Sequence, residues 1–344
     1  MDYRTLGRTG VRVSSLCMGC WMFGNRIDRS GALSLVSQAR DAGVNFFDTA
    51  NVYPATAEAR GDSERLLGEA LRGSGQRERT LIASKVAMDM TPDDPNGRGV
   101  SRRHIIEQCE GSLRRLGTDW IDLYYLHRPP TDVPVDESLR ALDDLVRSGK
   151  VRYIGTSHSS AWAFVESLWI AKELGLNRFI AEQPPYNLLD RRIENELVPM
   201  AQTFGVAINS YMPLGGGLLT GLYQRGKPPP SGSRHADPSY GGNLLFAKRL
   251  TDAVYDVNAV LAELARERSC SIASLAFNWV LAQPSITSAI SGPESAAEMA
   301  DILSAIERPL DADALQRLDQ IMPPGTAVSP FYEPDRSPHV HRVP

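Results

Sequence analysis

The sequence contains no uninterrupted apolar run near the ~18–20 residues that a membrane-spanning helix needs. Its polar opening, MDYRTLGRTG, carries no apolar secretory core. Those two absences set the expectation of a cytoplasmic protein with no membrane partner. Cysteine is scarce: Cys17, Cys20, Cys109 and Cys270 are too few for a disulfide scaffold in 344 residues. Cys17 and Cys20 form a C-x-x-C with no second C-x-x-C or paired His nearby, so buried reduced thiols are expected and no metal site. Positive charge is not in excess either, with 37 Lys and Arg against 41 Asp and Glu. A pI near 5.9 leaves no basic field to hold a phosphate backbone, which argues against nucleic acid as a partner. The pairs Arg102-Arg103 and Arg114-Arg115 read as a solvated helix face. Also missing is a G-x-G-x-x-G after the first strand, the mark of a Rossmann fold.

What the chain does have is a repeating pattern of short runs rich in β-branched and aromatic residues, most followed by a segment of helical periodicity. Eight occur, at 15–21, 44–50, 80–87, 119–127, 151–157, 179–186, 206–214 and 286–292. They are near-continuously apolar, as strands buried on both faces are. Ser101 suits the N-cap of a helix with apolar residues at Ile105, Ile106, Cys109, Leu113 and Leu116, stopped by Gly117. Val135, Leu139, Leu142 and Val146 repeat the helical spacing before Gly149.

Strands alternating with helices imply right-handed βαβ units and a parallel sheet. Eight units predict an α/β fold, a closed (β/α)8 TIM barrel, with residues 1–322 as one domain and 323–344 as a Pro-rich tail. YRTLGRTGVRV reads as an N-terminal hairpin closing the barrel bottom. The last two strand starts lie about 80 residues apart, against roughly 27–39 elsewhere, which marks a long insertion at 215–250 after strand 7. A Pro/Gly/Ser-rich loop of that length, on the face where barrels place their sites, predicts a lid or a cofactor clasp.

Residues at the C-terminal ends of barrel strands converge on one site. Here they are Asp48, Tyr53, Lys85, His127, Ser157 with His158, Gln183 and Tyr211, each ending or following an apolar strand. A tyrosine hydroxyl has an ordinary pKa near 10. Lys85 beside Tyr53 would favour the phenolate and lower that value, with Asp48 keeping the lysine charged. A neutral His127 would orient a carbonyl oxygen between its N–H and the tyrosine hydroxyl, stabilising the alkoxide formed by hydride transfer. The residues also admit a lysine-based aldolase or isomerase, with Lys85 as Schiff-base nucleophile. The Asp48 partner opposes that, because it favours the charged lysine, the wrong form for attack.

FFDTANVY, LIASKVA, LGTDWIDLYYLHRPP, SGKVRYIGTSHSS, EQPPYNLLDRR and YMPLGGGLLTG occur in order. Through them the chain resembles the aldo-keto reductases, particularly the branch that includes the voltage-gated potassium channel β subunits, from about Tyr3 to about Arg308. The resemblance implies a (β/α)8 NADP(H)-dependent oxidoreductase interconverting an aldehyde or ketone and an alcohol. Its catalytic tetrad would be Asp48, Tyr53, Lys85 and His127, with Tyr53 as general acid/base. In the channel subunits the fourth position is usually Asn, so His127 favours a working enzyme over a redox-sensing, cofactor-binding subunit with slow turnover.

The resemblance also places a nicotinamide carboxamide against Ser157, His158 and Gln183 and the ring on Tyr211, with Trp21 lining the pocket beside it. His158 stands where relatives commonly carry Asn. The run Pro213, Leu214, Gly215, Gly216 would bring backbone N–H groups close to a pyrophosphate. At the far end this chain departs from its relatives: Leu222 replaces a lysine, and the segment after strand 8 runs from Gly292 with Glu294, Glu298 and Asp301. Those carboxylates would repel a 2′-phosphate and accept hydrogen bonds from an unphosphorylated ribose, unless Arg234 in the insertion reaches back to compensate. The expected cofactor is thus NADP(H) by resemblance, with NAD(H) used about as well or better.

Overall fold

The computed structural model describes residues 1–56, 58–72, 75–129, 133–238 and 248–333. An antiparallel hairpin, β1 (Tyr3–Thr5) and β2 (Arg12–Ser14), comes first. Eight parallel strands then close on themselves. They are β3 (Leu16–Gly19), β4 (Phe46–Asp48), β5 (Leu81–Val86), β6 (Ile121–Leu126), β7 (Val151–Ser157), β8 (Ala181–Gln183), β9 (Ala207–Ser210) and β10 (Ile286–Ser291). Neighbours in the ring are neighbours in sequence, and β10 returns to pair with β3. The TIM barrel predicted from the apolar runs is the fold found. Several strands are shorter than their runs, 179–186 yielding only Ala181–Gln183, because the run continues into the loop at the strand's C-terminal end.

The helical shell comprises α1 (Arg29–Asp41), α2 (Asp62–Leu71), α3 (Arg102–Leu116), α4 (Val135–Arg147), α5 (Ala161–Glu173) and α6 (Leu197–Phe204). It continues with α7 (Asp252–Glu267), α8 (Ile272–Ala282), α9 (Ala296–Ile306) and α10 (Ala312–Ile321). The caps are those the sequence suggests for α3: the Ser101 side chain accepts from the His104 amide, and Gly117 ends the helix in the left-handed region at φ 63°. One reading fails on this helix. Arg102, Arg103 and Arg114 face solvent, but Arg115 turns inward, its Nε 2.7 Å from the fully buried carboxylate of Glu64. A carboxylate buried on α2 needs a cation, and Arg115 is the residue that reaches it.

Two apolar layers follow from the alternation of side chains along each strand. Cys17, Phe46, Ala83, Leu123, Tyr125, Ala181 and Ala207 fill the barrel interior, while Leu16, Met18, Phe47, Ile82 and Ile208 join the layer under the helices. Cys17 and Cys20 therefore fall in different layers, both as free thiols. Leu6 and Val13 of the hairpin complete the inner cluster. The Arg4 guanidinium ties this plug to the barrel through the carbonyls of Ile286 at 2.6 Å and Leu281 at 2.9 Å.

Between β9 and β10 the chain makes the turns Gly215–Thr220 and Arg234–Ala236 and then two helices, α7 and α8. Residues 239–247 of the insertion lie outside the described residues, as do 334–344 of the tail. The rest of the tail packs on the barrel: the buried carboxylate of Asp190 accepts from the amides of Phe331 at 2.7 Å and Tyr332 at 2.8 Å, and Phe331 is buried.

Close packing inside the ring gives a test. A Cβ at Gly155 on β7 would lie 2.6 Å from the Tyr125 ring and 2.8 Å from the Ala181 carbonyl. Gly155→Ala is expected to lower stability by about 1–3 kcal/mol in urea unfolding, as overpacking does; an unchanged midpoint would contradict the packing described.

Candidate active site

The mouth of the barrel is organised by two adjacent strands. Asp48 ends β4 and Lys85 lies near the end of β5, where Asp48 pairs with Ala83 in the ladder. The Lys85 side chain is wholly buried, ion-paired with Asp48 Oδ1, and it donates to the Thr49 carbonyl at 2.8 Å. Gln183 at the end of β8 donates to the other carboxylate oxygen at 2.7 Å. Burial alone would depress the lysine, but Asp48 and Tyr53 outweigh it and the pKa lies above its ordinary value. Lys85 is therefore an ammonium.

Tyr53 sits over that charge, its ring centroid 4.8 Å from Lys85 Nζ. Its hydroxyl lies 3.2 Å from His127 Nε2, at the end of β6. The expectation that Lys85 lowers the tyrosine pKa below its usual 10 is overturned in sign. Burial raises it by more than Lys85 lowers it, so Tyr53 rests as a protonated phenol. Burial first, then Lys85, His158 and Arg128, holds His127 well below 6.5, which leaves the imidazole neutral as expected. The arrangement can present two neutral groups, a phenol and an imidazole, to one polar atom and keep a positive charge directly behind them.

A cleft of about 750 Å³ opens from this pair. Its wall includes Asp48, Tyr53, His127, Trp21, Ser157, His158, Gln183 and Tyr211, and also Pro213, Leu214, Gly216, Arg234, Gly292, Glu294, Glu298 and Asp301. Two predicted residues are not in its wall. Lys85 lies behind Tyr53, and Gly215 faces away, toward Leu189 and Phe331. Gly215, Gly216 and Gly217 take φ values of 57°, 65° and 97°, a left-handed run that residues with a Cβ rarely adopt. Ser157 donates to the Gln183 carbonyl at 2.7 Å, and the Tyr211 hydroxyl is 3.0 Å from His158 Nε2.

At the far end the acidic residues are not bare. Glu294 bridges two guanidiniums, Arg26 Nε at 2.6 Å and Arg234 Nε at 2.8 Å, and together these hold it below the usual carboxylate range despite burial. Arg26 also donates to the Gly232 carbonyl at 2.8 Å, fastening the insertion to the loop between β3 and α1. Glu298 accepts from the Glu294 amide at 2.8 Å, and Asp301 accepts from the Ser271 hydroxyl at 2.5 Å. Arg234 thus reaches back as the sequence allowed, and the repulsion expected from three free carboxylates is reduced.

The family pattern of the aldo/keto reductases matches residues 15–323. The chain is 38% identical over 309 residues to a probable voltage-gated potassium channel subunit beta of Oryza sativa subsp. japonica, covering 89% of this chain and 92% of that one. It is 36% identical over 327 residues to the uncharacterized oxidoreductase YrpG of Bacillus subtilis (strain 168), covering 94% and 96%. To the L-glyceraldehyde 3-phosphate reductase of Escherichia coli (strain K12) it is 32% identical over 324 residues, covering 93% and 92%. The chain belongs to the aldo/keto reductase family.

Among the described residues of this aldo/keto reductase, no helix is long and apolar enough to cross a membrane and no His/Cys/Asp/Glu group is suited to a metal ion. Three residues of the site escaped the sequence reading. Arg26 and Arg128 sit in loops whose composition gives no signal. Glu182 does carry one, a charged residue in an apolar strand, next to the polar Gln183 that ends it. Glu182 is fully buried; it accepts from the Thr156 hydroxyl and, at 3.0 Å, from the Ser159 amide. Those bonds hold the turn in which His158 adopts φ 64°, a conformation that Asn favours and His tolerates.

Burial pushes Glu182 up to about 8 from an ordinary 4.5. Between those values the folded chain holds a proton that the unfolded chain releases, so this group's stabilisation is complete below 4.5 and lost as pH rises through about 8. Glu182→Gln removes the titration. The wild-type Tm should fall relative to that variant as pH is raised from about 5 to about 8 in thermal melts, and parallel curves would refute the assignment.

Proposed function

We propose that the protein is an NAD(P)(H)-dependent carbonyl reductase, with Tyr53 as general acid in reduction and general base in alcohol oxidation. The observation that carries this is the pair of Tyr53 hydroxyl and His127 Nε2, 3.2 Å apart on a shared cleft, with the Lys85 ammonium buried behind. The oxidoreductase names of two relatives agree with it. The channel-subunit name of another fits a slow redox sensor, but a neutral histidine positioned to donate a hydrogen bond favours turnover.

The residues present fit a dinucleotide. The cleft volume is in the range of small-molecule sites, and Gly216 and Gly217 bring backbone to its wall without side chains. Ser157, His158, Gln183 and Tyr211 would hold the nicotinamide end, and Gly216, Arg26 and Arg234 the phosphates. When bound, the cofactor supplies the two electrons and the hydrogen that reduce a carbonyl carbon. The protein's part is the oxygen: His127 and Tyr53 polarise it through two hydrogen bonds, and Tyr53 gives up its proton as negative charge develops. Lys85 stabilises the phenolate left behind, and Asp48 keeps that lysine charged and in place.

Tyr53→Phe should bind cofactor as wild type does, followed by tryptophan fluorescence, yet lose at least about 100-fold in kcat for aldehyde reduction; a variant that keeps its kcat would remove the assignment. For the cofactor, Glu294 competes with a 2′-phosphate for Arg26 and Arg234, which supports use of both NADH and NADPH. Their kcat/KM values should lie within about 100-fold of each other, and Glu294→Gln, by removing the carboxylate that both guanidiniums share, should move the ratio toward NADPH by about tenfold or more. A wild-type NADPH preference beyond about 100-fold, over 2 kcal/mol, counts against the dual use.

A further inference from the structure

We propose that the substrate carries an anionic group, a carboxylate or a phosphate, and that Arg128 selects it; this rests on the carbonyl-reductase reading above. Arg128 directly follows His127 and lines the same cleft, with its side chain exposed. Asp48 is bound to Lys85 and Gln183, and Glu294 to Arg26 and Arg234. Glu298 and Asp301 accept from a backbone amide and a serine hydroxyl. Arg128 is what remains: among the described residues it makes no hydrogen bond and no ion pair.

Its position is at the reacting end. The Arg128 charge acts on both Tyr53 and His127, opposing the burial that raises the phenol and adding to the burial that lowers the imidazole, and neither Arg26 nor Arg234 is among the charges that do so. The wall of the same cleft includes the apolar Trp21, Val52 and Met88. A guanidinium presents a planar fork of donors that matches a carboxylate or phosphate bidentately. Here it would grip the end of a short substrate whose carbonyl oxygen lies between Tyr53 and His127. The anion takes no part in the redox step, so the alcohol product keeps the same charge.

The test compares kcat/KM for matched pairs, 4-oxobutanoate against butanal and glyceraldehyde 3-phosphate against glyceraldehyde, in wild type, Arg128→Met and Arg128→Lys. Wild type should prefer the anionic member of at least one pair by about 10- to 100-fold, mainly through KM. That ratio should collapse in Arg128→Met, persist in part in Arg128→Lys, and shrink in about 0.5 M salt. The pair that shows the preference identifies carboxylate or phosphate. Equal use of charged and neutral members by wild type, or a ratio that survives Arg128→Met, overturns the inference alone. No turnover of any member despite bound cofactor overturns the carbonyl-reductase reading with it.

Discussion

The mouth of this barrel depends on one buried charge, the ammonium of Lys85. Moving such a group from water into a protein interior costs several kcal/mol even after relaxation. It is sustained because Asp48 on the adjacent strand pairs with it and the Thr49 carbonyl takes a second N–H. The ladder fixes that meeting: Asp48 opposite Ala83 puts Lys85 within reach of the carboxylate. Residues 83 and 85 point inward while 82 and 86 belong to the outer layer. A slip of one residue in β5 would turn Lys85 toward the helices and leave Asp48 buried without a cation. The register of two short strands is therefore a condition of the chemistry.

The same charge explains why the site can hold two neutral acid/base groups. A phenol and an imidazole partly withdrawn from water both resist ionisation, and the raised Tyr53 and lowered His127 values follow from desolvation before any partner is considered. Lys85 opposes burial at Tyr53 and reinforces it at His127. It makes the phenolate reachable when a proton must leave and keeps the imidazole from taking one. In the proposed reaction, negative charge develops on an oxygen between two neutral donors, with the compensating positive charge already fixed behind them. No reorganisation is needed at that moment, which is where preorganised sites gain most.

The barrel was legible because its strands are covered on both faces, so they read as unbroken apolar runs whose ends stand out as polar residues. Asp48, His127, Ser157 and Gln183 were found that way. What was missed has a physical reason in each case. The sign of the Tyr53 shift depends on burial depth, which residue types do not encode. Arg115 and Arg102 look alike in sequence, and only the place of Glu64 on the neighbouring helix distinguishes the buried partner from the solvated one. Arg26 and Glu294 are 268 positions apart and meet only because the ring closes β10 against β3. The docking of Phe331 rests on Asp190, a carboxylate buried in a loop, and no periodicity announces that.

At the carboxamide end, donor and acceptor capacity decides what the site can hold. A carboxylate only accepts, so Gln183 must turn its amide nitrogen toward Asp48, and its carbonyl oxygen is then the end available to a ligand. Ser157 spends its proton on the main-chain carbonyl of Gln183, so its hydroxyl oxygen too can only accept. Two acceptors side by side suit the NH2 of a carboxamide and would refuse a carboxylate. In the proposed reading, a donor toward the carboxamide oxygen comes from the His158 ring, whose Nε2 meets the Tyr211 hydroxyl at 3.0 Å. The tautomer of His158 is thereby tied to Tyr211, and the ring that would flank the nicotinamide also decides which way the carboxamide is read. Because Asp48 divides its two oxygens between Lys85 and Gln183, that orientation and the charge behind the acid share one carboxylate.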